Sequence, residues 1–359
     1  MSKRDVIVVG AGLAGLTVAR YCAEYGLDVL VIEKKKSIGS AVRCGEYLAS
    51  DDEIMEMFPQ CYDLGDLFQC LSGCVRREFE NISVYSPKGK RYVVPFQGIM
   101  IDREEFEKNL AAQAERNGAE LLLDTMAKSV RGEDVITSKG SLSARIIVGA
   151  DGPLSRVASS VGLPRPPQLY RAVTTYVEGS YRDEIALFFG QLSPGGYAWI
   201  FPKVGKANAG LGVWDKYDGS TSDLLKSWLR TMGLRFGAIR RKLLPASGPA
   251  HRLQRGNVLI VGDSAGHVIP TTGGGIQTSM ICAREAAKSI AECLSSGVLL
   301  EAYESACKRI VWGPLRMGLK IKRLADKVLW SDLLTTMAMR FLGIKGIGRA
   351  IRCQHLFRS

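Results

Sequence analysis

The 359-residue sequence has no uninterrupted apolar run of the roughly 18 residues needed to cross a bilayer. It has no internal repeat and no low-complexity linker, which excludes a repeat array and a pair of loosely tethered modules. It also lacks an ordered cysteine framework. The nine cysteines are odd in number and mostly stand singly in regular segments, against a secreted disulfide scaffold. The one cluster, Cys61, Cys70 and Cys74, lacks a fourth ligand and the tight C-x-x-C spacing of a zinc site, so it reads as packed thiols and no metal is expected. Acid is scarce at the C-terminal end. From residue 306 onward twelve Lys and Arg face only Asp326 and Asp332, so this tail carries +10 of the chain's +12. Such a block attracts anionic headgroups, nucleic acid or acidic partners. The composition, 46% hydrophobic and 23% charged, is that of a folded protein.

What is present begins at the N-terminus. The start "MSKRDVIVVGAGLAG" superficially resembles a signal peptide, but its apolar run is short and ends in patterned glycines, so the chain reads as cytosolic. Val6 to Val9 read as a buried strand; Gly10, Gly12 and Gly15 follow in G-x-G-x-x-G spacing; a helical pattern runs to about Tyr25 and stops at Gly26. A second apolar strand, Asp28 to Ile32, ends at Glu33. A lone glycine pattern is weak; in this strand–turn–helix–strand frame it specifies a dinucleotide site. Gly10 makes the tight turn, Gly12 admits the pyrophosphate, Gly15 lets the helix pack on the strand, and the helix N-terminus faces the phosphates. Glu33 suits ribose hydroxyls and would repel a 2′-phosphate, which argues against NADP at this site.

Farther on, 82–86 and 91–94 read as a hairpin around "SPKGK", and "IDREEFEKNLAAQAER" as an amphipathic helix ended by Asn117–Gly118. Another buried strand, Ile146 to Val148, leads into "GADGPLS". Residues 160 to 255 alternate and are rich in aromatics and glycine, as an antiparallel sheet would be. "NVLIVGDSAGHVIPTTGGGIQTS" then returns to the strand, glycine loop and helix style. The expected fold class is α/β in two parts. A Rossmann-like FAD-binding domain (1–160 with small hairpin insertions, and 256–300) is interrupted by an antiparallel-sheet substrate domain (161–255), and a basic helical region follows (301–359).

Read together and in this order, "GAGLAG…E", "GADGPLS" and "GDSAGHVIPTTGGGI" resemble the FAD-dependent oxidoreductases of the para-hydroxybenzoate hydroxylase fold. Two further motifs resemble the geranylgeranyl reductase family within that fold: "VRCGE", and "YAWIFPKVGKANAGLG" with Tyr197, Trp199, Phe201, Pro202, Gly210 and Gly212 in its pattern. The resemblance covers most of residues 5–295. It implies an FAD-dependent reductase that saturates C=C bonds of an isoprenoid lipid, as archaeal members do with geranylgeranyl ether phospholipids. It places Gly10, Gly12, Ala14 and Gly15 at the FAD pyrophosphate, Glu33 at the adenosine ribose and Ala127 near the adenine. Arg103 would reach the flavin, Asp263 the ribityl or pyrophosphate region, and Gly275 and Ile276 would offer backbone groups to the flavin ring. Cys44, with Gly45 and Tyr47 around it, would lie beside that ring. There the thiol either positions the alkene or delivers a proton, with Arg43 able to depress its pKa, or the Cys44–Gly45 turn merely makes room. Where relatives often have glycine, this chain has Tyr47, which would narrow the cavity or close over it. Tyr197, Trp199 and Phe201 alternate, so they share one strand face, which in the family lines the lipid tunnel. His267 is either an acid or a bond to the backbone of its loop.

The electron donor is open between a ferredoxin-like protein and NADPH, since no second dinucleotide motif is visible. Two other readings share the fold: a flavin monooxygenase of an aromatic or polyketide, and a flavoprotein that only relays electrons. In the tail, Arg316, Lys320, Arg323 and Lys327 fall on one helix face beside Met317, Ile321, Leu324 and Val328, with Trp312 and Trp330 as candidate interface anchors. This predicts peripheral docking on an anionic membrane rather than nucleic-acid binding, for which no module is present.

Overall fold

The structure, a computed structural model, describes residues 3–40, 43–179, 181–214 and 216–357; Val42 of the "VRCGE" motif and Arg358 of the basic tail lie outside them. Strand β1 (Arg4–Val9), helix α1 (Leu13–Glu24) and strand β2 (Val29–Ile32) form the expected unit. β1 pairs in parallel with β2, Val6 opposite Val29 through Val9 opposite Ile32. There follow β3 (Tyr47–Ala49), α2 (Asp51–Met57), α3 (Leu64–Phe68), a hairpin of β4 (Val75–Tyr85) and β5 (Arg91–Ile101), α4 (Arg103–Arg116) and β6 (Glu120–Leu122). A small meander of β7 (Ala127–Arg131), β8 (Asp134–Thr137) and β9 (Gly140–Gly149) leads to α5 (Arg156–Val161). Next come β10 (Leu169–Glu178), β11 (Ile185–Phe188), β12 (Tyr197–Lys203), β13 (Lys206–Val213), α6 (Thr221–Thr231) and β14 (Arg240–Pro245). The chain then returns through β15 (Gln254–Arg255) and β16 (Val258–Ile260) to α7 (Ile276–Ser296), and ends in α8 (Glu301–Cys307), α9 (Gly313–Ala325) and α10 (Asp332–Ile351).

The first sheet has the order β15-β16-β9-β1-β2-β6, with β8 paired to β9 and to β7. β1 lies between β9 and β2, parallel to both, and Val6 to Val9 are buried, as a strand covered on both faces requires. α1 packs against α4 and α7. Helix α4 begins where the Asp102 carboxylate accepts the Glu105 N–H at 3.2 Å, with Glu104 and Glu105 in the first turn and Arg116 in the last. These charges all favour that polarity.

The second sheet runs β14-β10-β13-β12-β11-β4-β5-β3. The β4–β5 hairpin, expected above as an insertion of the nucleotide-binding part, is hydrogen-bonded into this sheet, and β11 pairs with β4 in parallel. Its strands are also longer than 82–86 and 91–94. The cause is the alternation of "RYVVPFQGIMI", which buries every second residue of β5, so the hairpin has an apolar face to lay on a neighbour. The edge of β11 supplies one and is itself covered.

The tail is helical as expected, but α9 stops at Ala325, and Lys327 and Val328 fall in the following turn. α10 is broken at Gly343 (φ +58°). Trp330 packs on Trp214 with ring centroids 5.5 Å apart.

Candidate active site

A cavity of about 650 Å³ extends from the carboxyl ends of β1, β2, β9 and β16 to the inner face of the second sheet. Parallel strands of opposite neighbours leave such a crevice at their carboxyl ends. It is lined by Gly10, Gly12, Ala14, Glu33, Cys44, Gly45, Tyr47, Arg103, Ala127, Tyr197, Trp199, Phe201, Asp263, Gly275 and Ile276. Gly15 lies outside it: a β-carbon there would sit 1.9 Å from the Gly10 oxygen, so its part is to bring α1 onto the strand end. Gly10 (φ +109°) makes the turn against the Ala150 carbonyl.

At the nucleotide end, α1 starts at Gly12 with no side-chain cap and no acid in its first turn. Its N-terminal N–H groups are therefore available to an anion. A β-carbon at Gly12 would meet nothing within 4 Å, so the space before the helix is open cavity. Glu33 is buried, and its carboxylate accepts the N–H groups of Ala11 (2.8 Å) and Lys35 (2.9 Å), which hold it rigidly with lone pairs to spare for hydroxyls. Asp151 of "GADGPLS" accepts Ser155 Oγ at 2.5 Å and the Arg156 N–H at 2.7 Å, so at the cavity wall it holds the first turn of α5 and its N-cap, Ser155. Asp263 is met by Lys242 Nζ of β14 at 3.1 Å. Lys242 also lines the cavity, and nothing in its local sequence marks it. An uncapped helix N-terminus facing open space, a rigid carboxylate and a paired acid fit a dinucleotide such as FAD.

At the other end, Tyr197, Trp199 and Phe201 project together from β12, with successive ring centroids 6.0 Å apart. Gly210 opposite Trp199 leaves room for the indole; a β-carbon there would lie 2.3 Å from its ring. The Tyr197 hydroxyl donates to the Thr272 carbonyl. Burial, with Cys44 nearby, pushes that phenol well above its ordinary pKa, so it stays protonated. Tyr47 packs among Phe79, Phe96 and Phe201, forming part of the cavity wall.

Between the two ends sit Cys44 and Arg103. Arg103 donates from Nε and Nη2 to Glu107 Oε1 at 3.1 and 2.7 Å and faces the Cys44 sulfur. Burial opposes its charge, but Glu107 and Cys44 outweigh that and hold the guanidinium protonated. A cation beside Cys44 is therefore Arg103, 59 residues away in sequence, whereas Arg43 lines the cavity as an exposed side chain. The Cys44 turn is tied down by Glu46, Lys203, Tyr176 and Asn208. The glutamate sits in the "VRCGE" motif, and Lys203 and Asn208 lie within the "YAWIFPKVGKANAGLG" stretch; Tyr176 carries no local signal.

His267 is outside the cavity lining, fully buried, and burial lowers its pKa to about 3. Its Nδ1 accepts the Gly262 N–H at 3.3 Å. That places the ring proton on Nε2, so although His267, Cys282 and Cys307 have ligand atoms within 4.8 Å of one another, the imidazole offers no free lone pair toward the thiols. Cys61, Cys70 and Cys74 are buried thiols raised by burial to about 12, 12 and 11.

Residues 3–177 and 242–317 match the FAD binding domain family, and residues 168–240 match the geranylgeranyl reductase catalytic domain. The chain is 31% identical to digeranylgeranylglycerophospholipid reductase 2 of Methanopyrus kandleri, over 92% of this chain and 88% of the relative. It is 30% identical to digeranylgeranylglycerophospholipid reductase of Methanosarcina acetivorans, over 89% and 84%. A geranylgeranyl bacteriochlorophyll reductase-like protein from Thermoplasma acidophilum has the same fold, with a TM-score of 0.80 at 25% identity over 97% of this chain and 92% of that one. A probable FAD-dependent monooxygenase from Pseudomonas aeruginosa shares the fold at a TM-score of 0.70 and 16% identity, over 94% and 100%. With a nucleotide cradle at one end of its cavity, an aromatic chamber at the other and these relatives, the chain belongs to the geranylgeranyl reductase family of FAD-dependent oxidoreductases.

Proposed function

We propose that this protein reduces C=C double bonds of geranylgeranyl-type chains on a glycerophospholipid. The observation that carries the reading is the continuity of one cavity, from the cradle of Gly12 and Glu33, past Cys44 and Arg103, to the aromatic face of Tyr197, Trp199 and Phe201. An apolar polyprenyl chain fits that face and gains by leaving water. The FAD, when bound and reduced, supplies hydride. The α1 N-terminus would hold its phosphates, Glu33 its adenosine ribose and Asp263, steadied by Lys242, a hydroxyl in its ribityl or pyrophosphate region, while Ala127 would lie toward the adenine and Gly275 and Ile276 toward the flavin ring. Trp199 and Phe201 orient the alkene and exclude water. Cys44 Sγ gives a proton to the second alkene carbon, and the thiolate left behind is stabilised by Arg103 until it is reprotonated. The monooxygenase and electron-relay readings rest on the fold alone. Electrons come from a ferredoxin-like donor or NADPH. The test is mass spectrometry of unsaturated archaeal-type lipids after incubation with chemically reduced protein: mass gains of two hydrogens per bond support the reading, and unchanged lipid with fully reduced flavin refutes it.

The site would be served from a membrane surface. No helix among the described residues is long and apolar enough to cross one. Arg316, Lys320, Arg323 and Lys327 are exposed. The apolar contact comes from α10 rather than from the stripe expected on α9, where Ile321 is buried. Leu333, Met337, Phe341 and Ile344 of α10 are exposed, Phe341 by 78%, and Ile351 at the end of the same helix lines the cavity.

A further inference from the structure

The turn that carries Cys44 contains a backbone outlier. Glu46 has φ +65°, a left-handed conformation that a residue with a β-carbon keeps only where its surroundings hold it. Its surroundings do so. The Glu46 side chain is 1% exposed, and Oε1 accepts Lys203 Nζ at 3.0 Å and the Arg103 N–H at 3.2 Å. Oε2 accepts the Tyr176 hydroxyl at 2.7 Å and Asn208 Nδ2 at 3.0 Å. Tyr176, Lys203 and Asn208 come from three strands, β10, β12 and β13, and Arg103 opens α4. Asn208 is itself oriented, because its Oδ1 accepts Trp199 Nε1 and Thr174 Oγ1, both at 2.9 Å.

Two of these bonds reach Cys44 directly. Asn208 Nδ2 donates to the Cys44 carbonyl at 2.8 Å, and the Glu46 N–H donates to the Cys44 sulfur at 3.2 Å. The sulfur therefore has an N–H on one side, supplied by the left-handed residue, and the Arg103 guanidinium as a second partner. Lys203 is as deeply buried as its partner, 4% exposed. A buried ion pair is a weak source of stability; one built into a cavity wall around a strained turn is better explained by what it holds in place.

We propose that Glu46 is a positioning residue, whose carboxylate, gripped by Lys203, Tyr176 and Asn208, fixes the left-handed turn that sets the Cys44 sulfur in the cavity beside Arg103. Its use in catalysis rests on the reading of Cys44 as proton donor; the geometry does not, and the two are tested separately. The measurement is the pH profile of Cys44 alkylation by iodoacetamide, followed by peptide mass spectrometry on FAD-loaded protein, for Glu46→Gln, for Glu46→Gln with Lys203→Met, and for Tyr176→Phe. The double variant leaves no unpaired buried charge, and Tyr176→Phe removes a single hydroxyl, so both are suited to fold. When the turn relaxes, the sulfur loses the N–H and the guanidinium that favour its anion. The midpoint of reactivity then rises, by about one pH unit in the first two variants and less in Tyr176→Phe. Lipid turnover per bound flavin falls about ten-fold in kcat with little change in KM. A midpoint that falls in Glu46→Gln would show an unpaired Lys203 acting on a sulfur that has not moved, and would overturn the proposal. So would an unmoved midpoint in the double variant, even with lowered stability. A raised midpoint together with full lipid turnover by Cys44→Ala would leave the positioning role standing and remove the proton-donor reading instead.

Discussion

At the scale of single residues, the nucleotide end and the reacting end of the cavity make separable predictions. Gly12 faces open cavity in front of an uncapped helix, so Gly12→Val should put a branched side chain into the phosphate path. We expect purified Gly12→Val to be colourless and to gain no visible flavin absorbance on reconstitution, while circular dichroism stays that of the folded wild type. Cys44→Ala leaves that cradle intact; it should bind FAD and accept electrons from dithionite normally, yet lose alkene reduction by at least about 10²-fold, the usual scale of a lost acid. Unchanged turnover would make the residue a spacer. His267 predicts a pH effect of definite sign. It is neutral in the folded protein down to about pH 3, whereas unfolded chains bind that proton near the ordinary histidine value of about 6.5. Stability present above about 6.5 is therefore lost as pH falls from there toward 3, by up to about 1.4 kcal/mol per unit. His267→Asn should flatten this part of the denaturation-midpoint profile. Legibility at this scale follows distance in sequence. Gly10, Gly12, Glu33 and Cys44 announce themselves through motifs a few residues long. Lys242 reaches Asp263 from another strand; Lys203 and Asn208 lie in the quoted motif of β12 and β13, but they reach the Cys44 turn from about 160 residues away, so no local pattern records that link.

At the scale of elements, α10 is the part least explained by local propensity, since Gly343 interrupts it and much of its apolar side is exposed. What fastens its end is Arg352, which grips Glu53 of α2 through Nε and Nη2 at 2.7 and 2.6 Å and also reaches the Pro95 carbonyl of β5 at 2.9 Å. Both partners are largely buried, 14% and 8% exposed, and removing one member of such a pair leaves an uncompensated charge. Arg352→Met is expected to destabilise by about 2–4 kcal/mol in urea denaturation, and Glu53→Gln in the same chain to recover part of that loss, the signature of coupled sites. Additive losses would show that the two side chains act independently. The β4–β5 hairpin teaches the complementary lesson: its alternation was readable, but alternation names a buried face without naming the sheet that buries it.

At the scale of the whole molecule, none of the described helices is long and apolar enough to cross a membrane, so the proposed lipid substrate has to be met at a surface. Each cation near an anionic surface contributes roughly 1 kcal/mol, and Leu333, Met337 and Phe341 are exposed apolar side chains that the proposed docking would use. In sedimentation with liposomes, binding should require anionic lipid and weaken as salt rises through about 0.1 M and above. It should drop sharply when Arg316, Lys320, Arg323 and Lys327 become Gln, and separately when Phe341 becomes Ser. Equal binding to neutral vesicles, or none to anionic ones, would mean that the charge serves another purpose.

By itself, the sequence determined the nucleotide unit, the class of cofactor, the aromatic face of β12 and the charge of the tail. Each of these is written in neighbours close along the chain, where glycine spacing, strand alternation and charge count act locally. The tertiary structure alone decided that β4, β5 and β3 complete the second sheet, that Arg103 stands at Cys44 and that His267 is sealed away from the cavity. It also decided that Glu46 is clamped by three strands. Those outcomes depend on which buried faces and buried charges find each other across tens to hundreds of residues, and the energy of such contacts exists only once the chain has closed around them.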